Sequence, residues 1–462
     1  MSKFLLLRTT KGMSLLFAKK TSIKNQPPFS PPLSLLYIAS SLESEGHQVD
    51  LIDVSFEENP EGKIRTLLST IDTVIINVYP GNLEESKSLA DFIHSNQPDI
   101  PIIIHGLYCT IHREHTLQDI PSADICIEDN GEHIITEVAK AIDGKKMFSE
   151  IPGISYRENN QIKTMKKPTE IKELDELSFP ARHLVKKYEY GTMNGIRLCR
   201  PRFTSIMTSR GCPFRCRFCT THVVSDPFSQ RSSENILHEF REIQDDYNSV
   251  MIVDENFLAD AQHAHSIMNG LIQAGSTLDL FIAGARVDSA NRELYRKMAQ
   301  AGVKLISFGI ESGNQDVLDY YHKQITLSQI RKAIDLAREM KIITWGNFIF
   351  GAPIETKQHL RKTMKFSLSL PLDMAFYRQL SYQRGSSLWA EAVKNGMIEE
   401  KTSFCYAGSG KTFTNFTDEE LSEYCRWAFK RFYYRPTYLL KEVSRCVSRK
   451  DFTILKSLRS VI

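Results

Sequence analysis

Three cysteines within eight residues carry the clearest chemistry in the chain. The segment reads Thr208-Ser209-Arg210-Gly211-Cys212-Pro213-Phe214-Arg215-Cys216-Arg217-Phe218-Cys219, a C-x-x-x-C-x-x-C spacing. Cysteine thiolates are the usual ligands of iron–sulfur clusters. Three of them on one tight loop can bind three irons of a cubane and leave the fourth without a protein ligand. An open metal position is what a site needs if it engages its substrate at the metal. Arg210, Arg215 and Arg217 would offset the negative charge of such a cluster. The competing reading is a zinc knuckle with His222 as the fourth ligand, because structural zinc takes four protein ligands and no fourth cysteine lies near.

More charged residues stand just past apolar runs. Asp254 and Glu255 follow one, Arg286 another, Glu311 and Ser312 a third, and Gly351 and Glu355 a fourth. Each alone reads as a solvated group or a helix cap. Taken in order, each at a strand's end, they describe one rim.

The elements that must position these residues fall into two patterns. Strand candidates Thr204–Thr208, Val250–Val253, Leu280–Ala285, Leu305–Gly309, Asn347–Phe350 and Met374–Leu380 alternate with helical stretches such as Ser233–Gln244 and Leu327–Met340. Six such units predict a partial (β/α)6 TIM barrel with its chemistry at the carboxyl rim. Earlier in the chain, short strands at Lys3–Leu7, Gln48–Val54, Val74–Val78, Ile102–His105 and Ala123–Ile127 alternate with helices of about ten residues, the pattern of a doubly wound parallel sheet. The expected fold is therefore α/β: a Rossmann-like domain over residues 1–145, a connector over 146–200, the partial barrel over 201–395 and a helical extension over 396–462. Within the connector, Glu158-Asn159-Asn160 predicts a small hairpin.

Composition sets the outer limits. The 462 residues are 42 % apolar and 24 % charged, with a formal net charge of +3, the balance of an ordinary globular protein. That balance gives no case for a nucleic-acid partner. The basic, aromatic stretch Arg426–Arg435 reads as a helix covering the barrel with a solvated basic face. No run approaches the roughly 18 apolar residues that span a bilayer. The start of the chain reads as a first buried strand rather than a signal peptide, so the cytoplasm is the expected location. Nine cysteines are too few and too scattered for a disulfide scaffold.

On the cysteine motif and the strand ends that follow it, the chain resembles the radical S-adenosylmethionine superfamily. The resemblance covers about 180 residues after the motif. It implies a [4Fe–4S] cluster on Cys212, Cys216 and Cys219 whose free iron is chelated by the amino and carboxylate groups of S-adenosylmethionine, and a reductive cleavage that yields a 5′-deoxyadenosyl radical. It also implies residue roles. Phe218 lies near the adenine. Asp254, Glu255 or backbone carbonyls accept from the methionine amino group, and Arg286 of Arg286-Val287-Asp288 pairs with its carboxylate. Glu311 of Gly309-Ile310-Glu311-Ser312-Gly313 accepts from the ribose hydroxyls, Ser312 beside it is a further cofactor-binding position, and Gly351 to Glu355 lie beside the adenine.

The front part resembles the cobalamin-binding domain that precedes the radical domain in one class of that superfamily. The matching residues include Pro31–Ala39, Gly46-His47-Gln48-Val49, Ile104-His105-Gly106-Leu107-Tyr108 and Ile127-Glu128-Asp129-Asn130-Gly131-Glu132. Gly106, Tyr108, Gly131 and Glu132 are the implied cobalamin contacts. The family usually has paired glycines where His105-Gly106 stands, and G-E-G-E where Glu128 to Glu132 stand. The D-x-H-x-x-G motif that supplies a cobalt-ligating histidine is absent.

What the resemblance implies is methyl transfer from methylcobalamin to an unactivated carbon, on a small-molecule, lipid or peptide substrate, with a flavodoxin or ferredoxin as electron donor. The alternatives are radical cyclisation, rearrangement or oxidation without methyl transfer, and a non-catalytic cobalamin or cluster sensor.

Overall fold

Five short aliphatic runs build the first sheet. They are β1 (Lys3–Arg8), β2 (Gln48–Asp53), β3 (Thr73–Asn77), β4 (Ile102–His105) and β5 (Ile125–Ile127), parallel in the order β2-β1-β3-β4-β5. Every residue of β3, β4 and β5 is buried, because helices cover both faces of a parallel sheet. Those helices include α1 (Leu33–Ser44), α2 (Pro60–Leu68), α3 (Leu83–Asn96), α4 (Leu107–His112), α5 (Glu114–Asp119) and α6 (Gly131–Ile142). The strand order reverses between β1 and β3, and ligands of such sheets bind beyond the carboxyl ends at that point.

The computed structural model describes residues 2–9, 29–128, 131–166, 173–193, 196–197, 199–225, 227–410 and 413–449. Asp129 and Asn130 of the expected cobalamin segment lie outside them, as does the end of the C-terminal extension. The expected connector contributes more to the fold than a linker would. Strands β6 (Ile154–Glu158) and β7 (Gln161–Thr164) add antiparallel to β5, extending the first sheet to seven strands. Asn159 and Asn160 turn the hairpin with φ of 51° and 61°, left-handed values that suit a tight two-residue turn. The first compact unit runs on to Tyr190 and the second begins at Gly191.

The second unit holds six parallel strands in sequence order: β8 (Phe203–Ile206), β9 (Ser249–Ile252), β10 (Asp279–Ala285), β11 (Val303–Glu311), β12 (Ile343–Phe350) and β13 (Met374–Gln379). This is the strand order of the expected partial barrel. Val250, Ile282, Phe308, Phe348 and Tyr377 project from these strands into one apolar core with the covering helices; full burial of each such side chain is worth about 1.5–3 kcal/mol. The loops out of the strands end in helix caps. Ser232, Asp260, Asn291 and Thr326 each accept a backbone N–H from the first turn of the helix that follows. Such caps fix where each helix begins.

In the C-terminal region, helix Asp418–Tyr433 packs on β13. Its Leu421, Cys425, Ala428 and Phe432 form a buried stripe at helical spacing, and Trp427 stays exposed. The basic, aromatic stretch is thus a cover with one solvated face, as its sequence predicts. The extension is not wholly helical, since Phe404–Tyr406 forms a short strand with Ser381–Gln383. No helix of the described residues is long and apolar enough to cross a membrane.

Candidate cofactor site

The cysteine loop leaves β8 through a turn that only glycine permits. Gly211 has φ of 80°, and a Cβ there would run into the Ser225 carbonyl oxygen. Asp254, at the end of β9, ties the loop's start to the sheet. Its Oδ1 accepts from the Thr208 N–H at 2.7 Å, and its Oδ2 accepts from the hydroxyls of Thr208 and of Ser209, the latter at 2.7 Å. Farther along, the Cys219 N–H donates to the Cys216 carbonyl at 3.0 Å and the Arg217 N–H to the Tyr321 carbonyl at 3.0 Å. Cys212, Cys216 and Cys219 are all free thiols, Cys216 buried and the other two half-buried. Burial pushes the Cys212 and Cys216 thiols up, and Arg286 works against it on both.

Among the described residues no group of three or more His, Cys, Asp and Glu side chains is arranged to hold a single metal ion. A zinc knuckle with His222 needs such a set. A cubane does not, because each thiolate binds a different iron.

Arg286 sits at the end of β10 and is only 4 % exposed. Asp288 accepts from its Nε at 3.1 Å and from Nη2 at 2.7 Å, the Lys323 carbonyl takes Nη2 at 2.7 Å, and the guanidinium lies 3.6 Å from the Phe214 ring centre. Its Nη1 is buried with no partner among the described residues. A buried donor without an acceptor costs about 1–3 kcal/mol, more for a cation, so this one is set for an anionic ligand. Glu311 closes β11 at a register shift, with φ of 63°. Its Oε1 accepts from the buried Lys323 Nζ at 2.8 Å.

The other expected positions distribute differently. Glu255 is exposed and accepts from the Thr221 hydroxyl at 3.3 Å. Phe218 packs edge-on against Tyr321, ring centres 5.0 Å apart. Both Asp254 oxygens accept from protein donors. Ser312 is fully buried, its hydroxyl 3.0 Å from that of Thr363. Glu355 is likewise buried. Its Oε2 accepts from the Gly351 and Ala352 N–H groups at 2.7 and 2.9 Å, so it shapes the loop after β12, and burial raises its carboxyl to about 7. Arg217, expected to offset cluster charge, pairs with Glu391 and stacks on Tyr320. Burial pushes the Cys216 thiol up, and the buried cations Lys323 and Arg286 work against it. Lys323 was missed by the motif reading.

In the first unit, Gly106 follows β4 with φ of 127°, and a Cβ there would lie 2.6 Å from the Val78 carbonyl oxygen and 3.1 Å from Asn77 Nδ2. That Asn77 nitrogen is buried with no partner among the described residues. The missing Cβ of Gly106 lets the end of β4 pack against Val78, and the unpaired Asn77 donor beside it fits a ligand with amide or carbonyl groups, such as a corrin. Tyr108 is buried, its hydroxyl donating to Asp119 at 2.7 Å and its ring stacked on His112. Gly131 opens α6 against the His105 ring, which a Cβ would approach to 3.0 Å. Glu132 is buried in the first turn of α6.

A model of the radical SAM superfamily matches residues 206–367, and a model of the B12 binding domain matches residues 24–139. An uncharacterized methyltransferase of Pyrococcus horikoshii is 26 % identical over 442 residues, covering 94 % of this chain and 93 % of that protein. The anaerobic magnesium-protoporphyrin IX monomethyl ester cyclase of Rubrivivax gelatinosus is 26 % identical over 379 residues, covering 78 % of this chain and 66 % of that protein. The solved structure of the cobalamin-dependent S-adenosylmethionine radical enzyme OxsB, with aqua-cobalamin and S-adenosylmethionine bound, shares the fold with a TM-score of 0.74 at 19 % identity, over 98 % of this chain and 72 % of that one. The chain thus carries a radical S-adenosylmethionine domain with a B12-binding domain ahead of it.

Proposed function

We propose that this protein is a cobalamin-dependent radical S-adenosylmethionine methyltransferase acting on an unactivated carbon. When bound, the [4Fe–4S] cluster supplies the electron that cleaves S-adenosylmethionine to a 5′-deoxyadenosyl radical, and cobalamin supplies the methyl group. Cys212, Cys216 and Cys219 hold the cluster. Arg286 offers its unpaired Nη1 to the methionine carboxylate while Asp288 fixes the fork. Glu255 accepts from the methionine amino group, since Asp254 is committed to the cysteine loop. Glu311 accepts from the ribose hydroxyls, and Phe218 and the Gly351–Glu355 loop flank the adenine. In the first unit, Gly106 admits the corrin edge and Asn77 donates to it. We place the enzyme in the cytoplasm with a flavodoxin- or ferredoxin-type reductase as donor.

The observation that carries this reading is the buried, unpartnered Arg286 Nη1 beside three free thiols. Anaerobically reconstituted protein, reduced in the presence of methyl-labelled S-adenosylmethionine and cobalamin, tests it. Release of 5′-deoxyadenosine with label in the product is expected. Absence of deoxyadenosine would leave only a sensor.

A second reading, radical cyclisation or oxidation without methyl transfer, is favoured by His105, whose ring fills space against Gly131 where the family usually has glycine, and by the cyclase among the relatives. Deoxyadenosine release with label retained outside the product would select it.

A further inference from the structure

The trio His322-Lys323-Gln324 reads as a polar turn, yet its middle side chain is buried, with 6 % of Lys323 exposed. His322 and Gln324 hold φ of 51° and 55°, a left-handed backbone that is strained for residues with side chains and persists only where the surroundings fix it. Lys323 is engaged at both its carbonyl and its ammonium. The carbonyl accepts from Arg286 Nη2 at 2.7 Å, and the ammonium donates to Glu311 Oε1 at 2.8 Å. Gly309 makes the room, since a Cβ there would lie 2.6 Å from Glu311 Oε1 and 2.8 Å from Lys323 Nζ. The ammonium also stands 6.0 Å from the Phe218 ring centre. A buried ion pair is a weak source of stability, so its place among these residues needs another purpose.

We propose that Lys323 is a positioning and charge-setting residue: its carbonyl aims the Arg286 fork, its ammonium holds Glu311 in place, and its fixed positive charge, 6.0 Å from the Phe218 ring of the cysteine loop, raises the reduction potential of a cluster held there. This rests on reading the three cysteines as cluster ligands.

The test uses the full chain, reconstituted anaerobically, as parent, Lys323→Gln and Lys323→Arg. Iron content, the cluster's midpoint potential by spectroscopically monitored titration, and the dissociation constant for S-adenosylmethionine are measured on each. Glutamine can still donate to Glu311, so fold and iron are expected to survive. Its midpoint potential shifts negative, and its dissociation constant rises about tenfold, the size of one weakened charge-assisted contact. Lys323→Arg keeps the parent's potential. Iron lost from Lys323→Gln but kept by Lys323→Arg also supports the charge. Parent values in a fully loaded Lys323→Gln overturn the proposal, and so does loss of iron from both variants, which would mark a packing role. A parent that takes up no iron sinks the cluster reading itself, a separate result.

Discussion

The two units treat buried charge differently at the carboxyl ends of their strands. In the first, charges near the strand ends are satisfied within the protein. Asp53 is fully buried and accepts from Tyr190 at 2.9 Å, from the Ser55 N–H at 3.2 Å and from Arg8 at 3.2 Å. Glu128 is taken by Arg113 and by the Ser155 hydroxyl, at 2.6 and 2.9 Å. Among the described residues, a buried donor left without a partner at the end of β3 is Asn77 Nδ2, which is neutral. In the second unit a guanidinium nitrogen is left over instead. Leaving a buried cation short of an acceptor is costly unless a ligand brings one. The difference teaches which chemistry each rim expects: an anionic cosubstrate at the second, and a bulky neutral ligand held by shape and single hydrogen bonds at the first.

The sharpest way to separate the two rims is Cys216→Ala. Iron–sulfur absorbance and 5′-deoxyadenosine release are expected to vanish, while cobalamin uptake by the first unit, followed by its visible spectrum, stays at the parent level. Loss of cobalamin uptake as well would break the comparison. Next in size is Arg286→Lys, which keeps the charge and loses the fork. The affinity for S-adenosylmethionine should fall about 10- to 100-fold, as for loss of one charge-assisted hydrogen bond, with iron content unchanged. Unaltered affinity would show that the unpaired nitrogen does not meet the cosubstrate.

The sequence revealed residues that are contiguous and stand directly after a strand. The cysteine loop, Arg286 and Glu311 are of this kind, and the six strands of the second sheet follow in the order their apolar runs predict. Direction was harder to read. Asp254 and Glu255 stand past the end of β9, Glu255 already in a turn, and only the register of β9 against β8 brings Asp254 onto Thr208 and Ser209. Distant pairings were not legible. Arg217 meets Glu391 from 174 residues away, and Lys323 reaches Glu311 from beyond a helix, with no apolar period to mark it as buried. The hairpin at 154–164 was visible from its asparagine turn, but its seat on β5 depends on an antiparallel register that no local pattern encodes.

Glu355 yields a smaller effect, read in stability. Burial raises its carboxyl from 4.5 to about 7, so the folded state binds a proton more tightly than the unfolded chain. That stabilisation is fully present below about pH 4.5, is lost as pH rises to about 7, and is flat above. The parent should therefore be less stable at pH 8 than at pH 5 by about 1–3 kcal/mol through this group. In Glu355→Gln, which keeps an acceptor for Gly351 and Ala352, that difference should shrink. Urea midpoints of both proteins at the two pH values measure it, and an equal pH dependence in the two would mean that the carboxylate is solvated.

The smallest expected change probes the first rim. The His105 ring lies against Gly131 at the carboxyl end of β4, beside the left-handed Gly106, where a ligand edge must come close to the backbone. If shape governs this rim, shortening the side chain should help and removing the neighbouring donor should hurt. His105→Ala is expected to tighten cobalamin binding several-fold, and Asn77→Ala to weaken it by a similar factor, one neutral hydrogen bond being worth about 1 kcal/mol. Equilibrium dialysis with hydroxocobalamin gives both numbers on otherwise intact protein. A His105→Ala variant that binds more weakly than the parent would mean that the imidazole itself holds the ligand. The first rim would then depend, like the second, on a specific side chain, and the contrast between a rim built for charge and one built for shape would fail.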